Sequence, residues 1–282
     1  MNTHYTVERM NKDDIALAIE WAREEGWNPG LNDARCFYLT DPHGFFKGML
    51  DGKIIAIGSA VIYDAEFAFC GFYRVADAYR GQGFGLALTK ARLAYIGTRN
   101  AGIDGVVSML AKYERLGYKI AYNNARYSGT FLSATFKENP AIIPVTKLHT
   151  TLLNAYDRRH FPASRPDFLK CWIKPPGGKS LAYIKEGQML GYGVIRPCYQ
   201  GFKIGPLFAD NATIADELFN HLANHARGAQ VYIDIPECNS NAIALVHRYQ
   251  LEKVFETARM YLKGCPDIAV NEIYGITSFE LG

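Results

Sequence analysis

The run Val75-Ala-Asp-Ala-Tyr79-Arg80-Gly81-Gln82-Gly83-Phe84-Gly85-Leu86 joins two apolar stretches of different character. Phe67 to Val75, rich in aromatics, reads as a strand. Phe84 to Ile96 reads as a helix with Leu86, Leu93 and Ile96 toward a core. Between them lie Gly81, Gly83 and Gly85. Glycine has no Cβ, so backbone N–H groups there approach an anion closely. The following helix N-terminus adds positive potential, and Arg80 adds a full charge. The segment is either a phosphate-binding loop or a tight strand-to-helix turn.

Outward from this loop the elements alternate. A helix is expected from Asp13 to Glu25, with Asp13 as its cap. Phe45 to Leu50 and Lys53 to Ile62 form a hairpin around Asp51-Gly52. Ile103 to Val107 is a short strand, Met109 to Leu116 a short helix, and Tyr118 to Ser128 a final strand. After Pro140 to Pro144 a second series follows the same plan. It has a helix over Thr146 to Arg159 and strands over Leu181 to Lys185, Met189 to Ile195 and Phe202 to Phe208. A helix over Ala212 to Arg227 precedes a strand over Val231 to Ile235, a helix over Ser240 to Tyr249 and a strand over Val254 to Leu262. Gly71-Phe72 matches Gly201-Phe202, Asp104 matches Asp234, and Ala125-Arg126 matches Ala258-Arg259, at offsets of 130, 130 and 133. Three landmarks in one element order indicate an internal duplication, with domains over 1–138 and 139–282.

Composition narrows the function. The 282 residues are 49% hydrophobic and 21% charged, enough for packed cores. Lys plus Arg exceeds Asp plus Glu by only 31 − 28 = 3, without a basic run, which excludes a nucleic-acid surface built on bulk charge. The six cysteines form no C-x-x-C pair, and none stands at metal-ligand spacing from a histidine. His221 and His225 share a helical face without an evident third ligand, so no metal is expected. The opening residues show no apolar core of signal-peptide length, and no membrane-spanning run is present. A cytoplasmic protein with reduced thiols is expected.

Three phosphate loops are distinguishable. A dinucleotide pattern starting at Gly83 requires Gly or Ala where Leu88 stands, and a Walker loop ending at Gly178-Lys179-Ser180 requires Gly where Ile173 stands. What remains is R-x-x-G-x-G, at Arg80, Gly83 and Gly85. It resembles the pyrophosphate loop of the GNAT acyl-CoA-dependent N-acyltransferases. Lys112-Tyr113-Glu114-Arg115-Leu116-Gly117-Tyr118 is similar to the segment that follows the fifth strand in that family. The whole chain resembles two-domain bacterial GNAT proteins of the YitH type, through Gly26-Trp27-Asn28-Pro29-Gly30, Ile103-Asp104-Gly105-Val106 and the closing Gly275 to Leu281.

The resemblance implies a mixed α+β chain of two tandem GNAT folds, each a twisted mixed sheet flanked by helices, with splayed fourth and fifth strands. It implies that Arg80, Gly81, Gln82, Gly83, Phe84, Gly85 and Leu86 hold the diphosphate of acetyl-CoA. Backbone groups from Tyr73 to Val75 would bind pantetheine like an added strand, one N–H polarising the thioester carbonyl. Tyr113 would protonate the departing thiolate, or else pack on an amphipathic helix; an asparagine common earlier in that helix is absent from Ser108-Met109-Leu110-Ala111. Trp27 and Asn28 are candidates for the acceptor pocket, Trp27 equally for a core anchor. Glu66, Asp64 and Asp104 are the acidic residues near the reaction, but none is singled out as the base.

An offset of 130 carried through the loop sets Asp210 opposite Arg80, Asn211 opposite Gly81, Thr213 opposite Gly83 and Ala215 opposite Gly85. Val246 stands where the acid would be. The second half therefore reads as a degenerate GNAT domain that cannot hold acyl-CoA. The expected function is acetyl transfer to a small-molecule or peptide amine by direct attack in a ternary complex. The alternative is a non-catalytic acyl-CoA sensor. No membrane partner is expected and no oligomeric state is assigned.

Overall fold

The computed structural model describes residues 4–131 and 138–282. The first half runs β1 (Tyr5–Arg9), α1 (Lys12–Glu24), α2 (Asp33–Thr40), β2 (Phe45–Leu50), β3 (Lys53–Ile62), β4 (Phe67–Val75), α3 (Phe84–Ile96), β5 (Asn100–Val106), α4 (Leu110–Arg115) and β6 (Lys119–Thr130). The second half repeats the plan: β7 (Ile142–Pro144), α5 (Thr150–Arg158), α6 (Pro166–Trp172), β8 (Lys179–Lys185), β9 (Gln188–Pro197), β10 (Phe202–Ala209), α7 (Ala212–Ala223), β11 (Gln230–Pro236), α8 (Ser240–Arg248) and β12 (Glu252–Tyr261). A short β13 (Ile273–Gly275) closes the series.

Local chemistry sets the boundaries. Asn11, not Asp13, caps α1, because its side chain accepts from the Asp13 and Asp14 amides while Asp14 returns a bond to the Asn11 amide. Asn211 and Asn239 cap α7 and α8, each side chain accepting from backbone amides of the first turn. The helix expected from Thr146 begins at Thr150, since Val145–Lys147 forms a 3₁₀ turn and His149 takes the cap. Short α2, α6 and β13 escaped the periodicity reading.

The halves share one mixed sheet, in the order β1-β2-β3-β4-β5-β12-β6-β11-β10-β9-β8-β7, with β13 on β10. Each half has given its last strand to the other: β12 pairs with β5, and β6 with β11. The exchange brings the repeated landmarks together. Arg259 lies directly opposite Asp104, and Arg126 directly opposite Asp234. Asp104 is thus the partner of an arginine from the other half, and also accepts from the Asn124 side chain.

Alternate residues of β3 enter different cores. Ile57 and Val61 join a cluster that includes residues of α1, α2, α5 and α6 from both halves. Ala56 and Ala60 join a second, under α3 and α4, while α7 and α8 cover a third. The packing of α2 on α6 brings the equivalent residues Cys36 and Cys171 to a Cα–Cα distance of 5.5 Å, and they form a disulfide. This corrects the expectation of six reduced thiols; the two residues are 135 apart in sequence and only the fold makes them neighbours. Among the described residues no helix is long and apolar enough to cross a membrane.

Candidate active site

The fourth strand decides the site. β4 pairs in parallel with β5 only through Phe67–Asn100, Ala68–Ala101 and Phe69–Gly102. Beyond Gly102, β5 turns to β12, while β4 stays with β3 as far as Val75. The two strands part, and beyond Phe69 the β5-facing edge of β4 has no strand partner among the described residues. A bulge marks the parting: the β3–β4 register slips between Ile57 and Ser59, and Phe72 has φ +48°. A bulky residue in the left-handed region stores strain that its surroundings must hold.

Arg92 of α3 does the holding. It is 5% exposed, donates from Nε to the Ser59 carbonyl at 2.7 Å, and from Nη2 to the Gly71 carbonyl at 3.3 Å. Gly58 leaves it room, since a Cβ there would lie 2.9 Å from the Arg92 Cδ. The periodicity reading missed Arg92. The buried stripe of α3 is Leu88, Arg92 and Ile96, and the available clue was an arginine at apolar spacing. Leu86, expected in the core, is instead 51% exposed beside the loop.

The loop between β4 and α3 fits an anion. Gly81 and Gly83 have φ of +78° and +88°, and a Cβ at either would meet nothing within 4 Å. These glycines serve conformation and access, not packing. The N–H groups of residues 81–85 meet no acceptor among the described residues; the first turn closes with the Leu86 and Ala87 amides on the Gly83 carbonyl. Successive free amides of this kind form an anion-binding nest. Gly85 has another purpose: a Cβ there would collide with the Tyr73 hydroxyl and touch Val75. Arg80 is tethered to the loop, through Nε to the Val75 carbonyl at 2.9 Å and through Nη2 to Asp77 and Glu25. Phe84 packs its ring on Tyr5, 4.8 Å between centroids, and the Gln82 side chain donates to the Ala78 carbonyl.

Across the gap, Tyr113 of α4 sits against Gly105 of β5, where a Cβ would stand 2.9 Å from its ring, and 6.2 Å from the Tyr118 ring. Burial pushes its phenol up to about 12, opposed by Arg92. The hydroxyl therefore carries its proton at neutral pH.

Trp27 and Asn28 lie where the halves meet. The Asn28 amide donates to the Gln200 carbonyl and its oxygen accepts from the Gln200 amide, both at 3.0 Å. Both of its polar groups are thereby committed to the second half. The Trp27 carbonyl accepts from Arg126 and Lys203. Asp64 caps the β3–β4 turn through the Glu66 and Phe67 amides.

The equivalent gap in the second half is filled. β10 and β11 pair at Phe202–Val231 through Ile204–Ile233 and then part; β13 enters and pairs with β10 at Leu207 and Phe208. The loop is also missing. β3 begins at Lys53 and β9 at Gln188, 135 residues on, whereas β5 begins at Asn100 and β11 at Gln230, 130 on. Phe67 thus corresponds to Phe202, and Gly201 belongs to the preceding turn, not opposite Gly71. Eight residues separate β4 from α3, but only Asp210 and Asn211 separate β10 from α7. Asp210, Asn211, Thr213 and Ala215 therefore do not stand in for Arg80, Gly81, Gly83 and Gly85; most of that loop has no counterpart.

Comparison with known proteins agrees with this architecture. Residues 13–118 match the acetyltransferase (GNAT) family, and residues 153–275 match an acetyltransferase (GNAT) domain. The holothin acyltransferase of Pseudoalteromonas sp. (strain SANK 73390) is 29% identical over 279 residues, covering 99% of this chain and 95% of the relative. The uncharacterized N-acetyltransferase YitH of Bacillus subtilis (strain 168) is 21% identical over 97% of each chain. A Pyrococcus horikoshii crystal structure of the acetyltransferase fold superposes with a TM-score of 0.83 at 21% identity, covering 99% and 96% of the two chains.

Proposed function

The chain belongs to the GNAT acyltransferase family, and from that premise we propose that it transfers an acetyl group from acetyl-CoA to an amine at one site, in the first half. The observation that carries this reading is an asymmetry: the gap between β4 and β5 is open beside a nest of free amides, whereas β13 fills the gap beside β10.

The amides of residues 81–85 take the diphosphate at the N-terminus of α3. Pantetheine lies along the free edge of β4, where strand-like hydrogen bonds align it. An N–H at the Phe72 bulge polarises the thioester carbonyl, and Arg92 fixes that backbone. The neutral amine attacks the carbonyl carbon, the C–S bond breaks, and Tyr113 gives its proton to the CoA thiolate. The resulting phenolate recovers a proton from solvent or from the new amide nitrogen. Holding donor and acceptor together makes the attack effectively unimolecular. Trp27, at the junction of the halves, faces the acceptor side. The name of the Pseudoalteromonas relative places holothin first among acceptors to try.

Two measurements test the reading. Calorimetry with acetyl-CoA is expected to give one site per chain. Release of free thiol with holothin and a panel of primary amines is expected to exceed hydrolysis for at least one acceptor. Tight uptake without thiol release from any of them points instead to a sensor, and no uptake of acetyl-CoA sinks the proposal.

A further inference from the structure

The carboxylate of Glu280 stands apart from the other buried acids. Asp33, Asp157 and Asp234 each hold an arginine at 2.6 to 2.8 Å. The Asp104 side chain, fully buried, holds Arg259. Glu280 is 4% exposed, yet its carboxylate has no ion-pair or hydrogen-bond partner among the described residues. Neither carboxylate oxygen is among the sealed polar atoms that lack a partner, so the group keeps a narrow contact with solvent while Lys203 and Arg126 act on its charge.

Its position is informative. Glu280 lies on the segment that leaves β13 and crosses to the first half, where the Leu281 carbonyl accepts from the Tyr63 hydroxyl at 2.8 Å. The Glu280 backbone is what a side chain on Gly71 would strike first. Gly71 is two residues past the last β4–β5 pair and one before the Phe72 bulge. The backbone of Glu280, supplied by the second half, is therefore set against the mouth of the gap in the first half, which brings its carboxylate within a side chain's length of that gap. The charges that act on it come from four elements: Lys203 of β10, Arg126 of β6, Asp33 of α2 and Asp234 of β11. Lys203 and Arg126 also donate to the Trp27 carbonyl, so the same cations hold the loop on the acceptor side.

We propose that Glu280 is the proton acceptor for the incoming amine. The proposal rests on the acetyl-transfer reading above. The ammonium gives one proton to the Glu280 carboxylate and becomes a neutral amine. Its nitrogen lone pair forms the C–N bond as CoA thiolate departs, and Glu280 afterwards releases the proton to solvent. Burial raises the Glu280 carboxyl above its ordinary value, with Lys203 and Arg126 opposing; it is thus a better base than a solvated glutamate.

The test is Glu280→Gln, assayed by thiol release from acetyl-CoA with the panel of primary amines, beside calorimetry with acetyl-CoA and thermal melting. Expected is a fall in kcat of about 100-fold or more near neutral pH, acetyl-CoA affinity kept within about twofold, and loss of the acid limb of the wild-type pH profile. Should Glu280→Gln melt early, Glu280→Asp is the second variant, expected to keep the acid limb at reduced kcat. Retention of the wild-type rate and pH profile by Glu280→Gln overturns the assignment of the base and leaves acetyl transfer standing. A wild-type protein that binds acetyl-CoA and acetylates no amine overturns both.

Discussion

Asp104 and Arg259, 155 residues apart, face each other across β5 and β12 and close a two-pronged ion pair at 3.0 and 2.8 Å. Arg126 and Asp234 repeat it at 2.6 and 2.8 Å. Both pairs bind one half of the chain to the other, because each arginine sits on an exchanged strand. Removing one partner of a buried pair leaves an uncompensated charge, whereas replacing both by apolar residues costs little. Arg259→Met is expected to lose about 3–5 kcal/mol in urea unfolding, and Asp104→Leu with Arg259→Met to recover most of it. Independent losses in the double variant would contradict this account.

The second pair also sets a pH dependence. Burial works against ionisation of Asp234, but Arg126 overrides it and holds the carboxyl below the usual range. A depressed value stabilises the folded state above the unfolded pKa of about 3.9, and that contribution fades as pH falls through the folded value. Asp234→Asn is expected to cost stability near pH 7 and to flatten the acid side of the curve. Unfolding by urea at several pH values checks both.

Gly81 and Gly83 separate conformation from packing. Their added side chains meet open space, so Gly81→Val and Gly83→Val pay mainly backbone strain, on the order of 1–3 kcal/mol each. The same side chains block approach to the amide nest. Affinity for acetyl-CoA is expected to fall by more than about tenfold, since 1.4 kcal/mol is tenfold, with the fold retained by circular dichroism. Undiminished uptake by both variants rules the loop out as the diphosphate site.

Tyr113→Phe keeps the ring against Gly105 and removes the proton. If Tyr113 protonates the thiolate, kcat falls by about 10²–10⁴-fold while acetyl-CoA affinity holds. Steady-state kinetics beside calorimetry resolves the two, and unchanged kcat leaves Tyr113 a packing residue.

The disulfide between Cys36 and Cys171 closes a 135-residue separation. Loop entropy alone assigns such a crosslink nearly 5 kcal/mol. Reduction, or Cys36→Ser, is expected to lower the thermal midpoint clearly; an unchanged midpoint would mean the packing of α2 on α6 already holds that contact.

Much of this molecule was readable in one dimension. Strands β3 and β4 and helix α3 begin and end where hydrophobic period and glycine placement set them, because those signals act over a few neighbouring residues. The glycine loop and its kinship were readable for the same reason. So was the repetition of Asp104 and Arg126 as Asp234 and Arg259. What the pairs do was not, since repetition implies equal halves and is silent on which half receives each last strand. Hydrogen bonding across the sheet settled that exchange. Three-dimensional packing likewise joined Cys36 to Cys171, seated β13 in the second gap, and set Arg92 under the Phe72 bulge and Glu280 against Gly71. Each of these contacts joins residues distant in the chain, and short-range patterns carry no information about them.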